Sequence, residues 1–266
     1  MNAKTETTTR IGGTVLIVLP PSEGKACGGD GPPLDPAGLS FPELNPIRER
    51  VLSALAEVCG RDDAPQVLAL PRTQAEEALR RNRDLHTAPT LPVSRLYKGV
   101  LYENLALASL DEAARRAADE QIVILSGLWG ALRLTDRIPP YRLAMAVSLP
   151  PLGRLAALWR PALEQALRPT GLVVDMRSAP YAVAWRPAAP TVTVRVFREF
   201  HVPGGVPKRT VVSHMAKATR GKVAHDLLKA GVDPASPEEL LKAVCGLGYS
   251  AELSGDGRHL DVVLHA

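Results

Sequence analysis

The stretch Leu125-Ser126-Gly127-Leu128-Trp129-Gly130-Ala131-Leu132-Arg133, closed by Pro139-Pro140-Tyr141-Arg142, decides how this chain folds. It follows the apolar run 122–125, which predicts a buried strand, and its exit offers a serine, two glycines, a tryptophan and two arginines. A strand that ends in small residues and then presents arginines builds a pocket at its carboxyl edge. Two further segments share this pattern. Residues 15–19 run into Pro20-Pro21-Ser22-Glu23-Gly24-Lys25, and residues 172–174 run into Asp175-Met176-Arg177-Ser178-Ala179-Pro180-Tyr181. Three apolar strands, each ending in polar and charged groups, imply one convergent site.

The chain has 266 residues, enough for one large domain with a sizeable core. Its 45% hydrophobic and 23% charged residues are those of a soluble globular protein, and aromatics at 4% leave the core to Leu, Val and Ala. The longest apolar stretches fall far short of a membrane span, so no membrane partner is expected. Residues 1–12 begin with a polar run lacking the apolar stretch of a signal peptide, and read as a disordered leader to a single domain over 13–266, with the cytoplasm as its expected address. Cys27, Cys59 and Cys245 are widely spaced with no CxxC pair, which argues against a disulfide framework and a structural zinc site. The six histidines show no ligand spacing, so neither a metal nor a cofactor is expected. The net charge of +4 permits nucleic acid or phosphorylated ligands without selecting between them.

Outward from the central strand, apolar spacing predicts helices over 46–59 with Asn45 as N-cap, 75–84, 111–118, 151–167 with Pro161 splitting or kinking it, 219–229 and 236–244. The last opens on a capping box, Ser236-Pro237-Glu238-Glu239. Residues 191–199 alternate as a half-buried strand, 209–213 read as another, and 248–253 with 260–264 form a closing hairpin around Gly255-Asp256-Gly257. The expected class is α/β: a single domain with a mixed β-sheet flanked by helices.

The candidate chemistry falls into clusters. Ser22-Glu23-Gly24-Lys25 lacks the GxxxxGK[ST] pattern of a Walker loop, and its Glu and Lys serve either as a structural ion pair or as an acid/base pair. Lys98 and Tyr102 stand four apart and share a helix face, either reaching a ligand or packing as amphipathic side chains. Two prolines present Tyr141 and Arg142 rigidly, which suits a bidentate contact to carboxylate or phosphate; pairing with Asp136 is the structural alternative. Arg177, Ser178 and Tyr181 follow Asp175, either in the site or as a strand-end ion pair with a packed tyrosine. Around Ser213-His214-Met215-Ala216-Lys217, the cations Lys217 and Arg220 at a helix start oppose the macrodipole, which favours an anion site; His214 reads as a sheet histidine.

Taken in order, PPSEGK, LYKGVLY, LSGLWGALRLTDRIPPYRL, DMRSAPY and SHMAKATRG resemble the YaaA peroxide-stress-protein family over nearly the whole chain. The resemblance implies one α/β domain of unusual fold with a basic cleft, a helix-hairpin-helix-like element near the C-terminus and binding to double-stranded DNA. It also implies a cytoplasmic role in the oxidative stress response to hydrogen peroxide. The hairpin would fall on 219–229 and 236–244, although Ala230-Gly231-Val232-Asp233-Pro234 departs from a Gly-apolar-Gly turn.

Two functions follow. A DNA-binding stress protein would use Lys217, Arg220, Lys222 and Lys229 on phosphates. An enzyme acting on a small anionic, nucleotide-like substrate would use Glu23, Lys25 and Tyr181 as catalytic groups. Ser22, Lys98, Tyr102, Ser126, Arg142, Arg177, Ser178, Lys217 and Arg220 would then hold the ligand.

Overall fold

The computed structural model describes residues 14–200, 208–211 and 213–265; the expected leader lies outside these. An eight-stranded mixed sheet forms the centre. Its strands are β1 (Leu16–Leu19), β2 (Ile122–Ser126), β3 (Gly130–Leu132), β4 (Val173–Asp175), β5 (Thr191–Phe200), β6 (Lys208–Thr210), β7 (Ser250–Leu253) and β8 (His259–His265). The spatial order is β7-β8-β5-β4-β1-β2-β3, with β6 pairing the far end of β5. The strands β8, β5, β4, β1 and β2 are parallel, and antiparallel β7 and β3 close the two edges.

Every residue of β1 and β2 is buried. Parallel strands covered on both faces read as continuous apolar runs, which is why these two were visible in sequence. In β5 the alternation holds: Val192, Val194 and Val196 are buried between half-buried neighbours. The chain passes from β1 to β2 on one side and from β4 to β5 on the other, so the carboxyl ends of β1 and β4 form the switch point where α/β sheets open a crevice.

The principal helices are α1 (Asn45–Cys59), α2 (Ala75–Arg83), α3 (Val100–Leu105), α4 (Glu112–Gln121), α5 (Leu155–Ala166), α6 (Ala179–Ala184), α7 (Ser213–Lys229) and α8 (Pro237–Gly246). Several expectations shift. Asn45 opens α1 as its first residue, with Leu44 in the cap position; its side chain bonds Pro36 O and Arg48 Nη1 instead. Pro161 sits within α5 without splitting it. The strand expected at 209–213 is Lys208–Thr210, and the helix expected from 219 begins at Ser213. His214 is therefore helical and exposed, and Lys217 and Arg220 lie inside the helix rather than at its start. The expected capping box forms in a shifted form: Ser236 Oγ accepts from Glu239 N–H at 3.2 Å, while Glu239 Oε2 accepts at 2.8 Å from the N–H of Ala235, one residue ahead of the cap. Between α7 and α8, Asp233 Oδ1 accepts from Val15 N–H at 2.6 Å, tying that connection to the start of β1. No helix among the described residues is long and apolar enough to cross a membrane.

The turn between β2 and β3 shows why its sequence is so particular. Ser126 Oγ accepts from the N–H groups of Leu128 and Trp129 at 3.2 and 3.1 Å, capping the turn. Gly130 has φ +73°, and a Cβ there would sit 2.6 Å from the Trp159 ring. Both constraints select glycine. Arg48, 1% exposed, donates to the carbonyls of Trp129, Ala131 and Ser40, so the turn's inward-facing carbonyls are satisfied. Its burial draws the guanidinium down to about 10.

Candidate functional site

At the switch point lies a cavity of about 700 Å³. It is lined by the exit of β1 (Pro20, Pro21, Ser22, Glu23, Lys25), the start of α3 (Gly99 to Tyr102), the 141–146 segment, the exit of β4 (Ser178, Pro180, Tyr181) and the first turns of α7 (His214, Lys217, Arg220). Among the described residues, four basic side chains (Lys25, Arg142, Lys217 and Arg220) and one carboxylate (Glu23) therefore line one cavity.

The β1 exit is held by backbone pairing. Ala26 N–H donates to Leu96 O and Lys98 N–H to Gly24 O, both at 2.9 Å, and Tyr102 Oη donates to Pro20 O at 2.7 Å. This bridge turns Lys25 inward. Its Nζ donates to Ser22 O at 2.7 Å and lies 4.3 Å from the Tyr141 ring centroid and 5.4 Å from that of Tyr97. Burial, reinforced by the nearby Arg142 charge and opposed by Glu23, brings the amine down to about 7. The structural pairing of Glu23 with Lys25 is not what forms. Glu23 Oε2 instead accepts from Arg142 Nη2 at 2.7 Å, with Glu23 73% exposed and Arg142 17%.

Arg142 does not pair with Asp136 either. Asp136 is buried and accepts from Ser40 N–H, Ser40 Oγ and Arg133 N–H, which locks the turn ahead of the prolines. The main chain of Arg142 is instead clamped by Asn82 of α2: Arg142 N–H donates to Asn82 Oδ1 at 2.8 Å and Asn82 Nδ2 donates to Arg142 O at 2.9 Å. Asn82 is a residue the sequence reading missed, because a lone Asn in a charged helix carries no spacing signal.

Tyr181 faces the cavity from α6, and its hydroxyl oxygen accepts from Met145 N–H at 3.4 Å. Burial raises its phenol well above the usual range and takes Tyr141 up to about 12, so both keep their protons at neutral pH. Arg220 Nε donates to Val194 O at 3.0 Å, while Lys217 is exposed at the rim. Gly221 follows because α7 crosses α3 there: a Cβ would run into the Leu101 carbonyl.

Not every sequence candidate reaches this cavity. Ser126 is fully buried behind Tyr141, bonded to its hydroxyl at 2.7 Å. Arg177 is 5% exposed and fully committed: Nε and Nη2 pair with Asp175 at 2.8 and 2.7 Å, and Nη1 donates to the carbonyls of Tyr181 and Trp185. Both are corrections to the ligand-binding expectation. A fully buried strand end gives no alternation from which to read which side chain faces the pocket. Both act as supports, Arg177 by fixing the helix that carries Tyr181. Lys98, Lys222 and Lys229 are exposed and lie outside the cavity lining.

Fold and cavity define an α/β protein whose ligand-sized crevice opens at the switch point of a parallel sheet. A sequence model of the family described as peroxide stress protein YaaA matches residues 15–253, and the chain belongs to that family. It is 45% identical over 265 residues to UPF0246 protein SCO2297 of Streptomyces coelicolor, covering 94% of this chain and 99% of the relative. It is 37% identical to UPF0246 protein Cgl1995/cg2186 of Corynebacterium glutamicum, covering 90% of this chain and 95% of that one. UPF0246 protein Rsph17029_0026 of Cereibacter sphaeroides is 32% identical, with 92% and 97% covered.

Proposed function

We propose that the cavity is a basic cleft for a small phosphorylated or carboxylated molecule, nucleotide-like in its charge, and that the protein acts through it in the peroxide stress response for which the family is named. The observation that carries this reading is the convergence of Lys25, Arg142, Lys217 and Arg220 on one crevice with Glu23 as the one lining carboxylate among the described residues. The Arg142–Glu23 pair is rim-exposed on the Glu23 side. Such pairs contribute about 0–1 kcal/mol, so an incoming anion displaces Glu23 at small cost. Lys25, Glu23 and Tyr181 supply groups that hold or move protons, which supports turnover rather than retention alone.

The second reading is binding of double-stranded DNA. It is supported by Lys217, Lys222 and Lys229, exposed along α7, which packs near the second helix of the expected helix-hairpin-helix element. Phosphate contacts of this kind weaken steeply with salt and need no enclosed crevice.

Calorimetric titration with a nucleoside monophosphate, and separately with a short duplex at two salt concentrations, separates the two. The cleft reading expects Arg142→Ala to weaken the mononucleotide at least about tenfold, a loss of 1.4 kcal/mol, and the double change Lys222→Ala/Lys229→Ala to leave it intact. The reverse pattern, with duplex binding lost in the double variant and no mononucleotide binding in the native protein, favours DNA.

A further inference from the structure

Lys25 is placed unlike an ordinary lysine. It lines the cavity, yet no carboxylate lies within 4.0 Å of its Nζ among the described residues, and its one hydrogen bond goes to the Ser22 carbonyl. Surface lysines extend their ammonium into water, and buried ones take an acidic partner. Here two tyrosine rings face the nitrogen. A ring face stabilises an ammonium by about 0.5–2 kcal/mol, while burial and Arg142 act against it. The outcome is an amine that holds both protonation states at neutral pH, the condition for an amine nucleophile.

Of the tyrosine hydroxyls around Lys25, that of Tyr141 is committed within the wall and that of Tyr181 turns to the cavity. Tyr141 Oη is bonded to Tyr97 Oη at 2.8 Å and to Ser126 Oγ at 2.7 Å. Ser126 Oγ already accepts two amide hydrogens, so its own hydrogen goes to Tyr141 and that of Tyr141 to Tyr97. Tyr181 differs. Its oxygen accepts from Met145 N–H, which leaves its phenolic hydrogen for a partner in the cavity.

We propose that Lys25 is an amine nucleophile, and that the cleft takes a small aldehyde or ketone carrying a phosphate or carboxylate. The anionic end lies on Arg142, Lys217 and Arg220, and the carbonyl lies between Lys25 and Tyr181. This inference rests on the anion-binding reading above. In the step, the nitrogen lone pair forms the C–N bond as the C=O pair moves to oxygen, which takes the Tyr181 proton. Nitrogen returns one proton to Tyr181, and the carbinolamine expels its hydroxyl with a further proton as water. Amine plus carbonyl gives imine plus water, with nothing oxidised or reduced.

The test uses pyridoxal 5′-phosphate as an anionic aldehyde probe near neutral pH, reduction with borohydride, and mapping of the modified peptides, with inorganic phosphate binding measured in parallel. The expected result is a reduced adduct on Lys25 at about ten times or more the occupancy of Lys98, Lys222 or Lys229, since a lysine in water is almost wholly protonated at that pH. Excess inorganic phosphate should protect Lys25, and a neutral aromatic aldehyde should label it less. Lys25→Arg should lose the adduct while still binding phosphate. Adducts spread over the exposed lysines with Lys25 unmodified, while phosphate binds, overturn the amine role and leave the anion site standing. Absence of both phosphate binding and the Lys25 adduct overturns both.

Discussion

Asn82 and Arg142, sixty positions apart, are joined by a two-point clamp in which each supplies one donor and one acceptor. The side-chain amide of Asn82 thus substitutes for a neighbouring strand and fixes the backbone from which the Arg142 guanidinium reaches the cavity. Asn82 is 2% exposed, so its amide has no water to turn to if the clamp is lost. Asn82→Ala should cost about 1–3 kcal/mol in urea unfolding and also weaken phosphate binding, although no charge changes. Equal stability with unchanged binding would remove the clamp from the account.

The buried Asp175–Arg177 pair is a positioning device for Tyr181. Arg177→Met takes from Asp175, 7% exposed, the guanidinium that pairs with both its oxygens, and such losses cost about 3–5 kcal/mol. It also frees the carbonyls of Tyr181 and Trp185. Denaturant unfolding should show a loss in this range. A change below about 1 kcal/mol would mean the site tolerates the unpaired acid by letting water in.

Glu23 competes with the ligand for Arg142. Glu23→Gln should therefore tighten phosphate by about two- to fivefold, the equivalent of a weak exposed ion pair, in calorimetry at low salt. Weaker binding would instead make Glu23 a direct ligand contact.

Gly221 inverts the usual helix rule. Ala normally stabilises a helix interior over Gly by about 1 kcal/mol. At 221 the added methyl meets the Leu101 carbonyl, so Gly221→Ala should lower the melting temperature. A rise would show that α3 and α7 separate freely.

Lys25 should also leave a mark on stability. Its folded-state value of about 7 lies below the ordinary 10.5, so the unfolded chain binds more protons between these limits. The stability contribution of Lys25 then rises with pH through that window, by at most about 1.4 kcal/mol per pH unit. Between pH 7 and 9, below the range in which the buried tyrosines ionise, native protein should gain stability relative to Lys25→Met. A difference that stays flat with pH would place the amine in water.

Much of this architecture was legible in the sequence, for identifiable reasons. The apolar runs of β1 and β2 are long enough to be read directly, and their polar exits located the crevice. Nine of the residues it singled out line the cavity from five separate segments: Ser22, Glu23, Lys25, Tyr102, Arg142, Ser178, Tyr181, Lys217 and Arg220. What was not legible was depth. Ser126 and Arg177 stand one layer behind the wall, and only the three-dimensional packing separates them from the lining. The start of α7 was placed too late: residues 209–213 read as a strand up to the residue where the helix in fact begins, Ser213.

The central claim is that a small anion is held by Arg142, Lys217 and Arg220 within the crevice. A crystal structure of the protein with a nucleoside monophosphate tests it most directly. The account predicts the phosphate among these three side chains, with Glu23 displaced from Arg142. A phosphate bound only on the outer face of α7, against Lys222 and Lys229, would contradict it.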